Sequence, residues 1–155
     1  MLKLVATIAF VLSATAAQAV EYRWTDGFGQ GTLEAKIVSR SKDELLIYCG
    51  SGQEARPVGM FFTIGGKQYR RSERTYVQFV VDGKNHPFEF AETRYDASGR
   101  GFYGNLSRFV AALARSKSQT FLFEVPEENI SRSLSLLNAA DALGRSPDSI
   151  IDGCK

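Results

Sequence analysis

His86 is the residue of this 155-residue chain whose chemistry is most versatile, and it is the one histidine in the sequence. A zinc cage needs several His, Cys or carboxylate ligands, and a Ser-His-Asp triad needs a presented serine. No Gly-x-Ser-x-Gly segment supplies such a serine. Since Pro87 follows in what reads as a hairpin arm, we interpret His86 as a surface or turn histidine.

Carboxylate pairs could serve general acid and base chemistry, as in glycoside hydrolysis. The candidate pairs are Glu89 with Glu92 and Glu127 with Glu128. Both pairs fall in arms and turns that look exposed, which favours a solvated face. The Gly27–Gly31 run lacks the Gly-x-Gly-x-x-Gly spacing of a phosphate loop and predicts a flexible entry into the first strand. The sequence thus predicts no catalytic, cofactor or metal site, and a protein that is not an enzyme.

A basic cluster is the one local anomaly of charge, and it consists of Lys67, Arg70, Arg71 and Arg74. It lies between two predicted strands. Such a patch could bind an anionic partner, such as an acidic protein face or a phosphorylated glycan or lipid headgroup. The alternative is a solvated loop with Glu73 as its counterion.

The two cysteines, Cys49 and Cys154, predict one disulfide if the chain matures in an oxidising compartment. The alternative is two unpaired thiols. The loop that the bond would close holds about a hundred residues, for which chain entropy gives roughly 4–5 kcal/mol. A redox role is disfavoured because the sequence has no Cys-x-x-Cys pair.

The N-terminus predicts export, because residues 1–19 have the parts of a secretory signal. Lys3 supplies the positive charge, Leu4–Ala17 is an apolar and small-residue run, and Ala17-Gln18-Ala19 is a cleavage motif. An uncleaved anchor or a buried helix is the alternative. The prediction is therefore a periplasmic or secreted protein whose residues 20–155 form one domain with no membrane span.

The charge balance argues against nucleic acid as the main partner. The chain has 19 Lys and Arg against 17 Asp and Glu, a net charge of +2, and Lys3 would leave with the signal. Binding to phosphates needs an excess of basic residues that this chain lacks.

Period-two alternation of apolar residues predicts half-buried strands along most of the chain. Asp82-Gly83 is a strong turn signal and predicts a hairpin. The alternating sets are Leu33, Ala35 and Ile37; Leu45, Ile47 and Cys49; Val58, Met60, Phe62 and Ile64; Val77, Phe79 and Val81; and Phe121, Phe123 and Val125.

One amphipathic helix is predicted after the loop-like stretch Asp96–Gly101, with Asn105 as its N-cap. Its apolar stripe is Leu106, Phe109, Val110 and Leu113. Short helices are expected at 137–143 and from Ser146. The predicted fold class is mainly β (α+β): an antiparallel β-sandwich or strongly curved sheet with one covering helix and short C-terminal helices.

Several segments together resemble the periplasmic Vas-type accessory proteins of type VI secretion. The C-terminal part also resembles the invasion-associated locus B family. The resemblance implies a Gram-negative periplasmic or secreted β-rich domain with a Cys49–Cys154 bond. Asn138 stands where the Vas-type pattern tends to have Gly, a tryptophan near the final cysteine is missing, and the locus B pattern has more cysteines. The segments that carry the resemblance are Leu45–Cys49, Tyr76–Gly83, Phe109–Leu113, Thr120–Pro126 and Ser133–Leu143.

Together these features predict a non-enzymatic exported binding or accessory module of the bacterial envelope, associated with secretion, whose partner is a protein or an envelope component. The alternative is a secreted inhibitor or virulence factor that acts on a host or competitor enzyme such as lysozyme. In that case the Asp96–Phe102 loop, with Ser98, Arg100 and Tyr103, would plug the active-site cleft.

Overall fold

The computed structural model describes residues 22–29, 31–50, 58–68, 74–97 and 99–145. The predicted signal at 1–19, Cys154 and the short helix expected from Ser146 lie outside these residues. Within the described part, no helix is long and apolar enough to cross a membrane. The elements are β1 (Thr25–Gly29), β2 (Thr32–Val38), β3 (Glu44–Gly50), β4 (Val58–Ile64), β5 (Lys67–Gln68), β6 (Arg74–Val81), β7 (Lys84–Ala91), β8 (Arg94–Asp96), α1 (Arg100–Arg115), β9 (Thr120–Val125), β10 (Ile130–Ser135) and short helical segments at Pro126–Glu128 and Asp141–Arg145.

The strands form one open antiparallel sheet in the order β1-β2-β3-β4-β8-β7-β6-β9-β10, with β5 beside β4. Short turns join most neighbours, as antiparallel pairing allows. Strand β8 joins the two halves of the sheet, because it pairs with β4 on one side and with β7 on the other. The predicted antiparallel, β-rich fold with one covering helix is confirmed.

The core lies between one face of this sheet and α1. The inward residues of every alternating set are buried except Ile64, which is partly buried and packs against the core. The predicted helical stripe is buried as well. Phe79 lies near the centre, with its ring 4.6 Å from that of Phe109, 5.5 Å from Phe123 and 5.7 Å from Phe88. Aromatic rings at these separations add specific geometry to the area they bury.

Trp24 joins the two ends of the sheet. Its side chain is fully buried, and its indole N–H donates to the Ser135 carbonyl at 3.0 Å. Its backbone N–H donates to the Leu137 carbonyl at 2.9 Å, and its own carbonyl accepts from the Asn138 amide at 2.9 Å. The residue before β1 is therefore fixed to the residues that end and follow β10. The sheet must curve strongly to bring these ends together.

Asp43 ties three further parts of the sheet together from a nearly inaccessible position, with 2% of its surface exposed. One carboxylate oxygen accepts from the hydroxyls of Ser41 at 2.5 Å and Ser39 at 3.2 Å. The other accepts from the Gly65 backbone N–H at 2.9 Å. The Arg132 guanidinium of β10 lies 3.6 Å away. One carboxylate thus links the β2–β3 turn, the β4–β5 turn and the last strand.

The Asp82-Gly83 turn forms as predicted, with φ of 49° at Asp82 and 74° at Gly83. Positive φ at both central residues is typical of a two-residue hairpin turn. The Asp82 carboxylate accepts from the hydroxyls of Ser118 at 2.6 Å and Ser116 at 2.8 Å. Chiefly the Ser118 bond, and then the Ser116 bond, lowers the pKa of Asp82. The turn is thereby fastened to the connection between α1 and β9.

Three predicted boundaries are wrong. Thr25–Gly29 is a strand that pairs with β2, whereas a flexible entry was predicted. The helix begins at Arg100 with Gly99 as N-cap, so Asn105 lies inside it. The predicted loop from Asp96 is shorter, because Asp96 belongs to β8. The glycine-rich composition of both regions predicts turns, but backbone pairing and contacts distant in sequence fix their structure instead.

We predict that Asp43→Ala lowers the free energy of unfolding by about 2–3 kcal/mol, because it leaves the Gly65 N–H and two hydroxyls without their acceptor. Urea denaturation measures the loss. Glu44→Ala is the matched control, since Glu44 is adjacent and only half-buried. An equal effect of the two substitutions would contradict the role of the Asp43 carboxylate.

Candidate functional site

The structure describes two members of the predicted basic cluster. Lys67 is exposed in β5, and Arg74 is the exposed first residue of β6. Arg70 and Arg71 lie outside the described residues. The Arg74 guanidinium is 2.6 Å from the Glu89 carboxylate, with 81% and 52% of the two side chains exposed. An ion pair this open to water contributes little to stability, but it places Arg74 beside a groove.

The predicted disulfide is described at one end only. Cys49 is fully buried in β3 and lies opposite Leu33 of β2 and Val58 of β4. The described part of the chain contains no free cysteine. Because Cys154 lies outside that part, the Cys49–Cys154 bond stays a prediction.

The outer face of the sheet carries apolar side chains that the alternation does not account for. Leu46, Tyr48 and Phe61 are out of phase with the core residues of their strands, and all three are half-buried. Leu46 lies opposite Phe61, and Phe61 lies opposite Arg94 of β8. The sequence analysis missed this row, although apolar residues in the polar phase of β3 and β4 were the signal for it.

A groove forms where β7 and β8 separate. The two strands meet in a turn at Glu92, whose φ is 56°, and their described pairing consists of Ala91 with Arg94. Beyond that pair, β8 pairs with β4, and Asp96 of β8 lies opposite Gly59 of β4. The sheet therefore opens on the side of β7 that faces away from β6.

The groove has a volume of about 750 Å³ and is lined by charges of both signs and by aromatic rings. Its residues come from β4, β5, β6, β7, the β7–β8 turn, β8 and the first turn of α1. Among the lining residues are Phe61, Arg74, Glu89, Arg94, Asp96 and Phe102.

Phe102 forms an exposed aromatic wall of the groove, with 59% of its surface accessible. The Tyr95 hydroxyl donates to the Phe102 carbonyl at 3.2 Å, and the two rings meet edge to face at 6.0 Å. Tyr95 itself is buried against Phe88, with ring centroids 4.8 Å apart. Burial raises the pKa of Tyr95, against the opposing effects of Asn105 and Arg108. Phe102 is thus held in place while its ring remains open to solvent.

Gly59 lets Tyr48 lie across the sheet beside the groove. A Cβ atom at Gly59 would lie 2.2 Å from the Tyr95 carbonyl oxygen and 2.7 Å from the Tyr48 hydroxyl. Burial raises the pKa of Tyr48; nearby Arg94 opposes the rise and Asp96 adds to it. These two charged side chains of β8 are therefore close enough to act on the Tyr48 hydroxyl.

The groove combines exposed aromatic and charged side chains. Arg74 and Glu89 form an ion pair between the neighbouring strands β6 and β7, and Arg94 of β8 lies opposite Phe61 of β4. Exposed aromatic and arginine side chains are the groups enriched at protein interfaces. Among the described residues no group of three or more His, Cys, Asp or Glu is placed to hold a metal ion.

His86 lies away from the groove, half-buried beneath α1, with its ring 5.5 Å from that of Phe109. Its Nε2 atom is buried without a hydrogen-bond partner among the described residues. Burial, followed by the charges of Lys84 and Arg108, lowers the pKa of His86. The sequence predicted a surface or turn histidine, whereas the structure places His86 half-buried within β7 with its ring beside Phe109 of α1.

A family model described as YfjT matches residues 22–143, which include every described strand and the whole of α1. No curated protein and no solved structure matches the chain.

We predict that Gly59→Ala destabilises the fold by about 1–3 kcal/mol, because the added methyl overlaps a backbone oxygen that cannot simply rotate away. Thermal or urea denaturation measures the change. Gly27→Ala is the matched control on an exposed strand, where nothing lies within 4 Å of the new Cβ. If both variants unfold alike, the crowding at Gly59 is not the cause.

We predict that stability falls as the pH is lowered from 7 toward 5. The folded-state pKa of His86 lies below the ordinary value of 6.5. The unfolded chain therefore binds the proton first, and stability present above that value is lost as the pH falls toward the folded-state pKa. Melting temperature against pH measures the effect. Because the chain has one histidine, His86→Gln should flatten this part of the profile; an unchanged slope in that variant would contradict the assignment.

Proposed function

The chain belongs to the YfjT family, and we propose that it is a non-enzymatic binding or accessory module of the bacterial envelope that recognises a partner protein through the groove between β7 and β8. The observation that carries the proposal is the groove itself, where an open split in the sheet exposes aromatic rings and charges of both signs.

The mixed charge of the groove favours a protein over a phosphorylated glycan or lipid headgroup. Arg74 and Arg94 share the lining with Glu89, Glu92 and Asp96. A polyanion would meet these carboxylates and be repelled, whereas a polypeptide can present both signs in a matching arrangement. The described half of the basic cluster thus contributes one side chain, Arg74, to a site of mixed charge.

Phe102 and Phe61 supply the apolar part of the proposed contact. Tyr95 holds Phe102 through a hydrogen bond to its backbone and an edge-to-face ring contact, while 59% of Phe102 stays exposed, so little conformational freedom is lost when a partner covers it. Rigid aromatic side chains of this kind commonly account for most of the binding energy at an interface.

Export is part of the proposal. It is supported by the signal-like residues 1–19, by the cysteine pair and by the resemblance to Vas-type accessory proteins of type VI secretion and to the invasion-associated locus B family. Intact-mass measurement of the protein from its native host tests it. The expected mass is that of residues 20–155 with one disulfide; retention of Met1 and two free thiols would contradict export.

An inhibitor of a host or competitor enzyme such as lysozyme is the second candidate. It is favoured by the exposed ring of Phe102, which ends the segment predicted to enter an active-site cleft. Tyr103 contributes less than predicted, because it is half-buried and packs against the core. Slowed lysis of bacterial cells by lysozyme in a turbidity assay would support this candidate.

We predict that a partner captured from an envelope extract by the immobilised protein is lost, by at least about tenfold, on substituting Phe102→Ala together with Arg94→Glu. The loss follows because one change removes the aromatic wall and the other reverses a groove charge. Quantitative mass spectrometry of the captured proteins measures it.

Leu122→Ala is the matched control, since Leu122 is an exposed apolar residue of β9 outside the groove. A partner retained by the wild type and the control but lost by the groove variant supports the proposal. A partner that binds all three proteins equally, or none recovered with the wild type, overturns it.

A further inference from the structure

The contact between His86 and α1 is sensitive to acid. The Nε2 atom of His86 is buried and has no hydrogen-bond partner among the described residues. In the neutral ring this nitrogen can be a bare acceptor, which costs one unmade hydrogen bond. In the protonated ring both nitrogens carry a hydrogen, so Nε2 becomes part of a charged N–H group that meets no described acceptor. The packed position therefore favours the neutral ring.

The charged groups that act on the His86 ring favour the neutral form as well. Lys84 precedes it by two residues in β7, and Arg108 comes from α1. Opposite His86 on β6 lies the apolar Phe79. The carboxylate of Asp82, in the turn before β7, accepts hydrogen bonds from two serine hydroxyls. A proton added to the ring is thus repelled by a cation on its own strand and by another on the helix.

The helix is attached to the sheet at successive turns, and His86 makes one of the attachments. The helix residues that take part lie three and four positions apart, which places them on one face of α1. The attachments are the hydrogen bond from the Tyr95 hydroxyl to the Phe102 carbonyl at 3.2 Å, the hydrogen bond from the Asn105 side-chain amide to the Pro87 carbonyl at 3.2 Å, and the contact of the Phe109 and His86 rings at 5.5 Å.

A continuous set of ring contacts connects His86 to Phe102, the exposed wall of the groove. Phe109 lies 5.5 Å from His86 and 5.3 Å from Phe88. Phe88 lies 4.8 Å from Tyr95, which lies 6.0 Å from Phe102. In a close-packed interior the displacement of one side chain is passed to its neighbours. The position of Phe102 therefore depends on how His86 and α1 fit together.

We propose that protonation of His86 loosens the first turns of α1 from β7 and displaces Phe102, so that the groove releases its partner in acid. The loosened state opens the ring to water, where its pKa returns toward the ordinary value of 6.5. Burial, followed by Lys84 and Arg108, lowers the pKa of His86 in the packed state. The state with the higher pKa is favoured as the pH falls, which is the loosened one. Only the release step rests on the proposed function.

Amide hydrogen exchange of the protein without a partner, as processed by its host, tests the change in α1. Protection of the amides of residues 103–109, relative to an unstructured chain at the same pH, should fall between pH 7 and pH 5. Protection of β2, which is paired on both sides, should not. Carboxyl groups ordinarily titrate near pH 4, below this window, and His86→Gln cannot gain the proton, so this variant should not show the fall. A wild type without the fall, or an equal fall in His86→Gln, overturns the proposal.

Lys84→Gln is a second variant, and it keeps the titrating ring. Removal of this nearby cation should move the midpoint of the fall to higher pH, because the proton is then repelled less. Lys36→Gln is the matched control, the same change at an exposed position of β2, and should leave the midpoint unchanged. A midpoint that does not move in Lys84→Gln, or that moves equally in both variants, contradicts the assignment to His86.

Capture of the partner at pH 7 and at pH 5 tests the release step. The partner retained by the wild type at pH 7 should bind about five- to tenfold more weakly at pH 5, within the range typical of linked sites. His86→Gln should bind it equally at both values. Equal binding by the wild type at both values, although α1 loosens, overturns the release step. No partner at pH 7 overturns the proposed function and release with it, whereas the change in α1 is decided by the exchange measurement alone.

Discussion

The hydrogen bonds of Trp24 are the constraint on which the rest of the structure depends. Trp24 precedes the first strand, and its three partners end or follow the last one. These bonds hold the residue before β1 against the end of β10. With them, the strands wrap around Phe79 and α1, and a sheet with two edges encloses a core. The Asp43 carboxylate reinforces the same closure through Arg132.

The curvature of the sheet also shapes the outer surface of the molecule. Strand β8 is only three residues long and bridges the two halves of the sheet, so the strands part beside it. Beyond the Ala91–Arg94 pair, β8 pairs with β4 and not with β7. The groove and its aromatic lining are therefore consequences of the same closure that builds the core.

Much of the core could be predicted from the sequence, because burial of one face gives the apolar residues the regular spacing of a strand or of a helix. Leu33, Ile47, Phe79 and the stripe on α1 follow from that period alone. The groove could not be predicted, since it depends on β8 lying between β4 and β7, strands that are far apart in the chain. Gly99 and Gly101 predicted a loop where α1 begins. The first turn of the helix is instead fixed by the hydrogen bond from the Tyr95 hydroxyl. Phe61 is an apolar residue at a position of β4 where the alternation predicts a polar one. That signal can be interpreted only once β8, which carries Arg94 opposite Phe61, is known to be its neighbour.

The bond between Trp24 and Ser135 spans 111 residues of sequence, which has a consequence for how the molecule is made. Ribosomes produce Trp24 among the earliest described residues and Ser135 among the last. Until then the inner faces of nine strands lack the contacts that close them, and topologies dominated by such distant contacts fold slowly. Nascent chains in that state expose apolar surface and unpaired strand edges, which makes them prone to aggregation. Closure of the sheet is therefore a late step, because the strand that completes it is also the last described strand to be synthesised.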